Sequence, residues 1–303
     1  MVLAYERSQV PVDGGQLTVG RWGTGGRVVF ASHGITANHL SFARVAELVV
    51  DRSGGAVSVV AIDHRGRAGS AGCPGPFGLQ AHADDVAVVM DHFGVERATI
   101  AGHSLGGFII ANTAERHPER VERLVLLDGG VPFPGSGEPR AADTDVEAAV
   151  QAVIGPALDR LDMRWGSEDE YVGFFRAHPA FQPPNEWTAV VENYVRYDAA
   201  LDPEGRVASS VSKQAVLVDG AAAIVDPDAA AAIERVEVDA HLLWCPRGIL
   251  DESPGLYNAD YVAAVEARMA HLHATEVTAT NHYTIVTADI GAIAVADAII
   301  GAG

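Results

Sequence analysis

Three features of the sequence predict an α/β fold, a mostly parallel sheet flanked by helices. Short β-branched runs recur along the chain, helix-length stretches separate them, and one serine sits between glycines where such a run meets the next helix. With 303 residues, 48% of them hydrophobic, the chain is long enough for a large core and can form one α/β domain with an insertion or two small domains.

The elements follow in order. Residues 3–10 and 16–22, separated by Asp13-Gly14-Gly15, read as a hairpin at one edge of the sheet. Continuous apolar runs then mark strands buried on both faces: "VVFAS" (28–32), "VSVVAI" (57–62), "ATIAG" (98–102), "RLVLLD" (123–128), "HLLWC" (241–245) and "TEVTA" (275–279). Helices are expected over 42–51, 79–93, 107–117 and 260–271, the last closing at His271 and His273. The alternation breaks after Gly129. From 131 to 238 the chain is punctuated by prolines, helical in pattern and without a convincing buried strand pair, so it reads as an insertion after strand six. The expected organisation is a core of 1–130 and 239–303 with a helical insertion at 131–238.

A formal charge of −19 argues against nucleic acid and anionic membrane as partners, because both need clustered Lys and Arg to displace counterions. The opening "MVLAYERSQV" has no basic region followed by an apolar one, and no apolar run reaches the length of a membrane span. A cytoplasmic location is the expectation. Cys73 and Cys245 form no C-x-x-C pair, which suits reduced structural thiols. Without H-E-x-x-H, H-x-H-x-D-H or G-x-x-x-x-G-K, the sequence points to no metal and no cofactor.

The chemistry centres on "TIAGHSLGGFII" (99–110). Serine and glycine commonly make turns, so the pentapeptide G-x-S-x-G is weak evidence by itself. Its context is stronger. A sharp turn from strand to helix would project the Ser104 hydroxyl above the sheet, the small flanking residues would permit the strained corner, and the N–H of Leu105 would face a developing oxyanion. A serine hydroxyl needs a base, and His282 in "TEVTATNHYTIV" lies beyond the last expected strand. An acid should come between them, and Asp251 in "PRGILDE", after "HLLWC", holds that place. Asp128, at the end of "RLVLLD", is the competitor; it directly precedes Gly129-Gly130, where a carboxylate commonly caps a turn. Glu252 would point differently from Asp251.

The order Ser104, Asp251, His282 resembles that of the α/β-hydrolase superfamily. "SHGIT" (32–36) is similar to the family's His-Gly dipeptide, which implies the N–H of Ile35 as a second oxyanion donor. "DHRGRAGS" (63–70) resembles the D-x-R-G-x-G-x-S loop of the capped subgroup, with Ala68 in place of one glycine, and the 131–238 insertion matches the position of that subgroup's cap. Relatives that act through an ester intermediate on carbon carry aspartate at the elbow, so Ser104 implies acyl transfer.

The insertion is dense in aromatic residues, and Trp165, Phe174, Phe175, Phe181, Trp187 and Tyr194 are the candidates for substrate contact. His33 and His64 read as braces of their loops. The expected partner is a small hydrophobic ester, cleaved in two steps through an acyl-enzyme. Thioesterase, lactonase and carbon–carbon hydrolase activities need the same residues, and a ligand receptor on this fold is the alternative from another class.

Overall fold

The computed structural model describes residues 4–134 and 145–301. Its centre is an eight-stranded sheet. The first six strands are β1 (Tyr5–Val12), β2 (Gly15–Trp22), β3 (Arg27–Ser32), β4 (Val57–Ile62), β5 (Ala98–His103) and β6 (Val121–Leu127). Between and after them run α1 (Ala43–Arg52), α2 (Leu79–His92) and α3 (Leu105–Arg116). The expected N-terminal hairpin forms, with β1 and β2 antiparallel and β1 at the sheet edge. From β4 onward every pairing across the sheet is parallel.

Alternate residues of each central strand enter opposite cores, which is why these strands read as unbroken apolar runs. In β6, Leu124 and Leu126 pack with Ile109 and Ile110 of α3 and with Val86 and Met90 of α2. Val125 and Leu127 point the other way, toward Val45 and Val49 of α1.

The chain then leaves the sheet and builds a helical insertion: α4 (Val146–Arg160), α5 (Glu168–Arg176), α6 (Ala189–Asp198), a two-stranded ribbon β7 (Ala199–Leu201) with β8 (Val207–Ser209), α7 (Lys213–Ile224) and the short α8 (Pro227–Ala230). The ribbon is a departure from the all-helical reading. With three residues per strand, it is too short to show as a hydrophobic period. The side chains of Asp145, Ser167, Thr188 and Ser212 cap α4, α5, α6 and α7 and satisfy N–H groups of their first turns. The sheet resumes with β9 (Ala240–Trp244), α9 (Ala259–Arg268) and β10 (Leu272–Glu276), and α10 (Thr284–Thr287) and α11 (Asp289–Ile300) follow. The last strand begins three residues earlier than expected, because α9 stops at Arg268 and Leu272 is already paired with Ala240; His273 therefore lies in a strand.

Buried polar contacts fasten the insertion to the core. The guanidinium of Arg67, in the loop after β4, lies 2.5 Å from Asp219 of α7 with both side chains fully buried. Tyr197 of α6 donates to Asp63 at 2.8 Å. Within the insertion, Arg160 pairs with Asp198 at 2.9 Å. Ala68, where the resembled loop has glycine, keeps a positive φ of 41°. Cys73 and Cys245 are buried free thiols. No helix among the described residues is long and apolar enough to cross a membrane, and no group of three or more His, Cys, Asp or Glu among them could hold a metal ion.

Candidate active site

Ser104 stands at the corner between β5 and α3 with φ 56° and ψ −121°, a conformation that L-residues adopt only when their surroundings impose it. The imposition is close backbone packing. A Cβ on Gly106 would lie 2.0 Å from the Ser32 carbonyl oxygen, and one on Gly102 would lie 2.3 Å from the Gly106 oxygen. Only glycine allows β3, β5 and α3 to approach this closely. The helix then begins directly at Leu105, whose N–H, like the others of a first turn, has no carbonyl of its own helix to bond.

The loop after β3 runs beside this corner. A Cβ on Gly34 would meet the Ser104 Cβ at 3.3 Å, so the backbone of Gly34 and Ile35 lies against the serine. Four hydrogen bonds fix the loop. His33 donates from Nδ1 to the Gly34 carbonyl at 2.7 Å and accepts the His64 N–H on Nε2 at 3.1 Å. His64 shares a 2.7 Å hydrogen bond with Ser32, and Arg67 Nε donates to the Ile35 carbonyl at 3.1 Å. His33 and His64 are therefore braces. Burial lowers the pKa of His33 to about 4 and that of His64 well below its ordinary value, so both are neutral at pH 7.

His282, in the turn after β10, lines the same cavity as Ser104. Its Nδ1 lies 2.6 Å from Oδ2 of Asp128, the residue after β6. The other carboxylate oxygen accepts the Cys245 N–H at 3.1 Å, and the Asp128 side chain is fully buried. Asp251 is elsewhere. Its carboxylate is held by Arg247 at 2.8 Å, by Asn281 at 2.8 Å and by Asn185 at 3.3 Å. The expectation that Asp251 orients the imidazole is corrected on this point. Asp251 braces the histidine turn through Asn281 and leaves the ring to Asp128, while Glu252 folds back onto the Leu250 N–H.

Sheet order explains the exchange. β6 lies between β5, which ends at the serine corner, and β9, so a side chain just past its end reaches the imidazole directly. The chain after β9 first turns through Gly248, where the Asp251 N–H bonds the Gly248 carbonyl, and this carries Asp251 outward. The glycines after Asp128 also have another reason than a capped turn: a Cβ on Gly129 would lie 2.2 Å from the Ser104 carbonyl oxygen. Asp128 itself has φ 47°.

Two small spaces meet at Ser104. One is lined by His282, His103, Gly34, Ile35, Ser41, Tyr194 and Tyr283 among others. The second is lined by Leu105, Phe108, Phe133, Val153, Ala223, Ile224 and Leu256, and shares Ile35, Ile154 and Ile249 with the first. Of the six aromatic candidates for substrate contact, Tyr194 alone lines either space. Trp165, Phe174, Phe175, Phe181 and Trp187 pack on one another and on Tyr171 in the insertion's own core. The reason is ring packing: aromatic pairs favour edge-to-face contact, and Trp165 with Phe174 and Phe181 with Trp187 meet that way, ring centres 5.5 Å apart. The cavity walls are aliphatic instead, and Ile154 and Ala157 enter them from either side of the Gly155–Pro156 kink in α4. Composition did not mark those residues, because Ile, Val and Ala at helical spacing are the ordinary content of any core.

A mostly parallel eight-stranded sheet, a strained serine at a strand–helix corner and a histidine in the last turn above the same sheet edge together define the α/β-hydrolase fold. The chain has that fold, and the family model described as alpha/beta hydrolase fold matches its residues 27–170. Among solved structures it is similar to E-2-(acetamidomethylene)succinate hydrolase, with a TM-score of 0.76 and 18% identity over 98% of this chain and 100% of that one. It is also similar to the thioesterase domain from the curacin biosynthetic pathway, with a TM-score of 0.72 and 16% identity over 98% and 99% of the two chains. A sequence relative is the "Putative carbamate hydrolase RutD" of Caulobacter segnis, 34% identical over 121 residues, 39% of this chain and 44% of the relative. Another is the "Putative non-heme haloperoxidase" of Mycobacterium phage D29, 31% identical over 119 residues, 39% and 41% of the two chains. The chain thus spans less than half the length of these relatives.

Proposed function

We propose that this protein is a serine hydrolase that cleaves a small carboxylic ester, with Ser104 as nucleophile, His282 as base and Asp128 as the acid that orients it. The observation that carries the reading is the strained Ser104 beside a cavity it shares with His282, whose Nδ1 faces a buried carboxylate at 2.6 Å. In this arrangement His282 takes the hydroxyl proton as Oγ attacks the carbonyl, and Asp128 holds the imidazole in the required tautomer and stabilises the imidazolium. The N–H groups of Leu105 and Ile35 receive the oxyanion. His282 then gives its proton to the leaving alcohol, and water, activated by the same ring, releases the acid.

Residues 131–238 act as a cap in this reading. Ile154, Ala157 and Tyr194 close one space and Gly220, Ala223 and Ile224 the other, so an enclosed acyl-enzyme would be shielded from bulk water. The two spaces measure about 40 and 20 Å³, room for a few water molecules at most, so substrate entry requires the cap helices to give way. Carbamates and thioesters present the same acyl carbon, and the names of the relatives make both worth including beside esters.

A fluorophosphonate should label Ser104 covalently. Ser104→Ala should lose labelling and, on a panel of p-nitrophenyl esters, acyl thioesters and carbamates, several orders of magnitude in kcat. Turnover unchanged in that variant would remove the serine mechanism.

A further inference from the structure

The two spaces at Ser104 differ in chemistry. The space lined by Phe108, Val153, Ile224 and Leu256 has aliphatic and aromatic walls and does not reach His282. The other contains His282 and a set of polar groups without partners. Ser41 lines it, and its buried Oγ has no hydrogen-bond partner. His103 lines it as well. Its Nε2 bonds the His282 carbonyl at 2.7 Å and must be the protonated nitrogen, so Nδ1, buried and unpartnered, is a bare acceptor. Tyr194 and Tyr283 complete the wall, and among the described residues neither hydroxyl takes part in a hydrogen bond. Burial keeps both phenols neutral and hence able to donate.

Buried polar groups without partners cost free energy unless a ligand or solvent meets them. Two such atoms, Ser41 Oγ and His103 Nδ1, lie at one small space beside two phenol hydroxyls, and together these donors and this acceptor match a group that can donate and accept at once, such as a hydroxyl or a primary amide.

The reaction decides which part of the substrate lies there. His282 must protonate the departing oxygen, so the leaving group occupies the space that His282 lines and the acyl chain occupies the other. Resting on the hydrolase reading above, we propose that the substrate is an ester of an apolar acid with a small alcohol that carries a second hydroxyl or an amide, recognised by Ser41, His103, Tyr194 and Tyr283.

Two isosteric esters test this: 2-hydroxyethyl butyrate and propyl butyrate, which exchange a hydroxyl for a methyl at the far end of the alcohol. The intact protein should favour the hydroxyethyl ester by about tenfold or more in kcat/KM, as expected when a group left unpaired in a buried site loses its partner. Tyr194→Phe, Tyr283→Phe and Ser41→Ala should each lower that ratio. A wild-type ratio near or below one overturns the subsite and leaves the hydrolase reading standing, and so does a high ratio that survives all three substitutions. Turnover of neither ester while a fluorophosphonate still labels Ser104 also overturns the subsite alone. Turnover of neither with Ser104 unlabelled overturns both.

Discussion

The carboxylate of Asp128 serves two groups, the His282 Nδ1 and the Cys245 N–H at the end of β9. Asp251 serves a guanidinium and two amides, and its side chain is partly exposed. The two carboxylates therefore predict opposite phenotypes in the proposed mechanism. Asp128→Asn keeps the shape but presents an amide to the imidazole, which favours the wrong tautomer, and should lower kcat by about 10³ to 10⁴-fold. Asp251→Asn retains the contact with Asn281 and weakens an exposed ion pair, so its cost should stay within about tenfold. Steady-state kinetics on one p-nitrophenyl ester, with both variants shown folded by circular dichroism, checks this. The reverse ranking would return the acid's role to Asp251.

At the scale of elements, α4 and α7 set the reach of the acyl chain. Ile154 of α4 and Ala223 and Ile224 of α7 wall the apolar space, and the bond from Arg67 to Asp219 holds α7 against the loop that carries Ile35. Each methylene buried there contributes about 0.8 kcal/mol until the space is filled. In a p-nitrophenyl series from acetate to decanoate, kcat/KM should rise by roughly threefold or more per methylene and then fall at a cutoff. Ile224→Ala removes three carbons from that wall and should move the cutoff to a longer chain, at a stability cost of about 2–5 kcal/mol. A flat profile in the wild type would mean that these helices do not bound the site.

For the whole molecule, the buried histidines couple stability to pH. Burial depresses the folded-state pKa of His33 and His178 to about 4, those of His64 and His103 well below the ordinary value near 6.5, and that of His241 below it. Below pH 6.5 the unfolded chain binds protons that the folded one refuses, so stability is full above that pH and falls as the pH drops toward the folded values. Each of His33, His64 and His103 contributes about 1.4 kcal/mol per pH unit within this window. The melting temperature should therefore drop on the order of 5 °C or more between pH 7.5 and 5.5, with uptake of about four protons on unfolding. Calorimetry in buffers of different ionisation enthalpy measures both, and a melting temperature independent of pH across that range would contradict it.

Much of this molecule is local in origin and so was legible along the chain. Strands buried on two faces must be continuously apolar, which is why 57–62 and its neighbours stood out, and the glycines around Ser104 could be read because close backbone approach admits no other residue. The insertion was legible as mostly helical, but where its helices begin was not read. The C-terminal α11 went unassigned because it is apolar nearly all round and shows no period. Three further matters depended on which segments lie side by side. The choice between Asp128 and Asp251 turned on β6 lying between β5 and β9, a neighbour relation that no spacing encodes. The aromatic residues of the insertion could be counted in advance, but only the packing of α5 and α6 decided that five of the six face one another and that Tyr194 faces the serine. The polar wall beside His282 came from Ser41, His103, Tyr194 and Tyr283, on four separate segments. The sequence by itself determined which residues are able to do chemistry; the tertiary structure decided which of them meet, because hydrogen bonds and ion pairs act over a few ångströms and only the folded chain sets those distances.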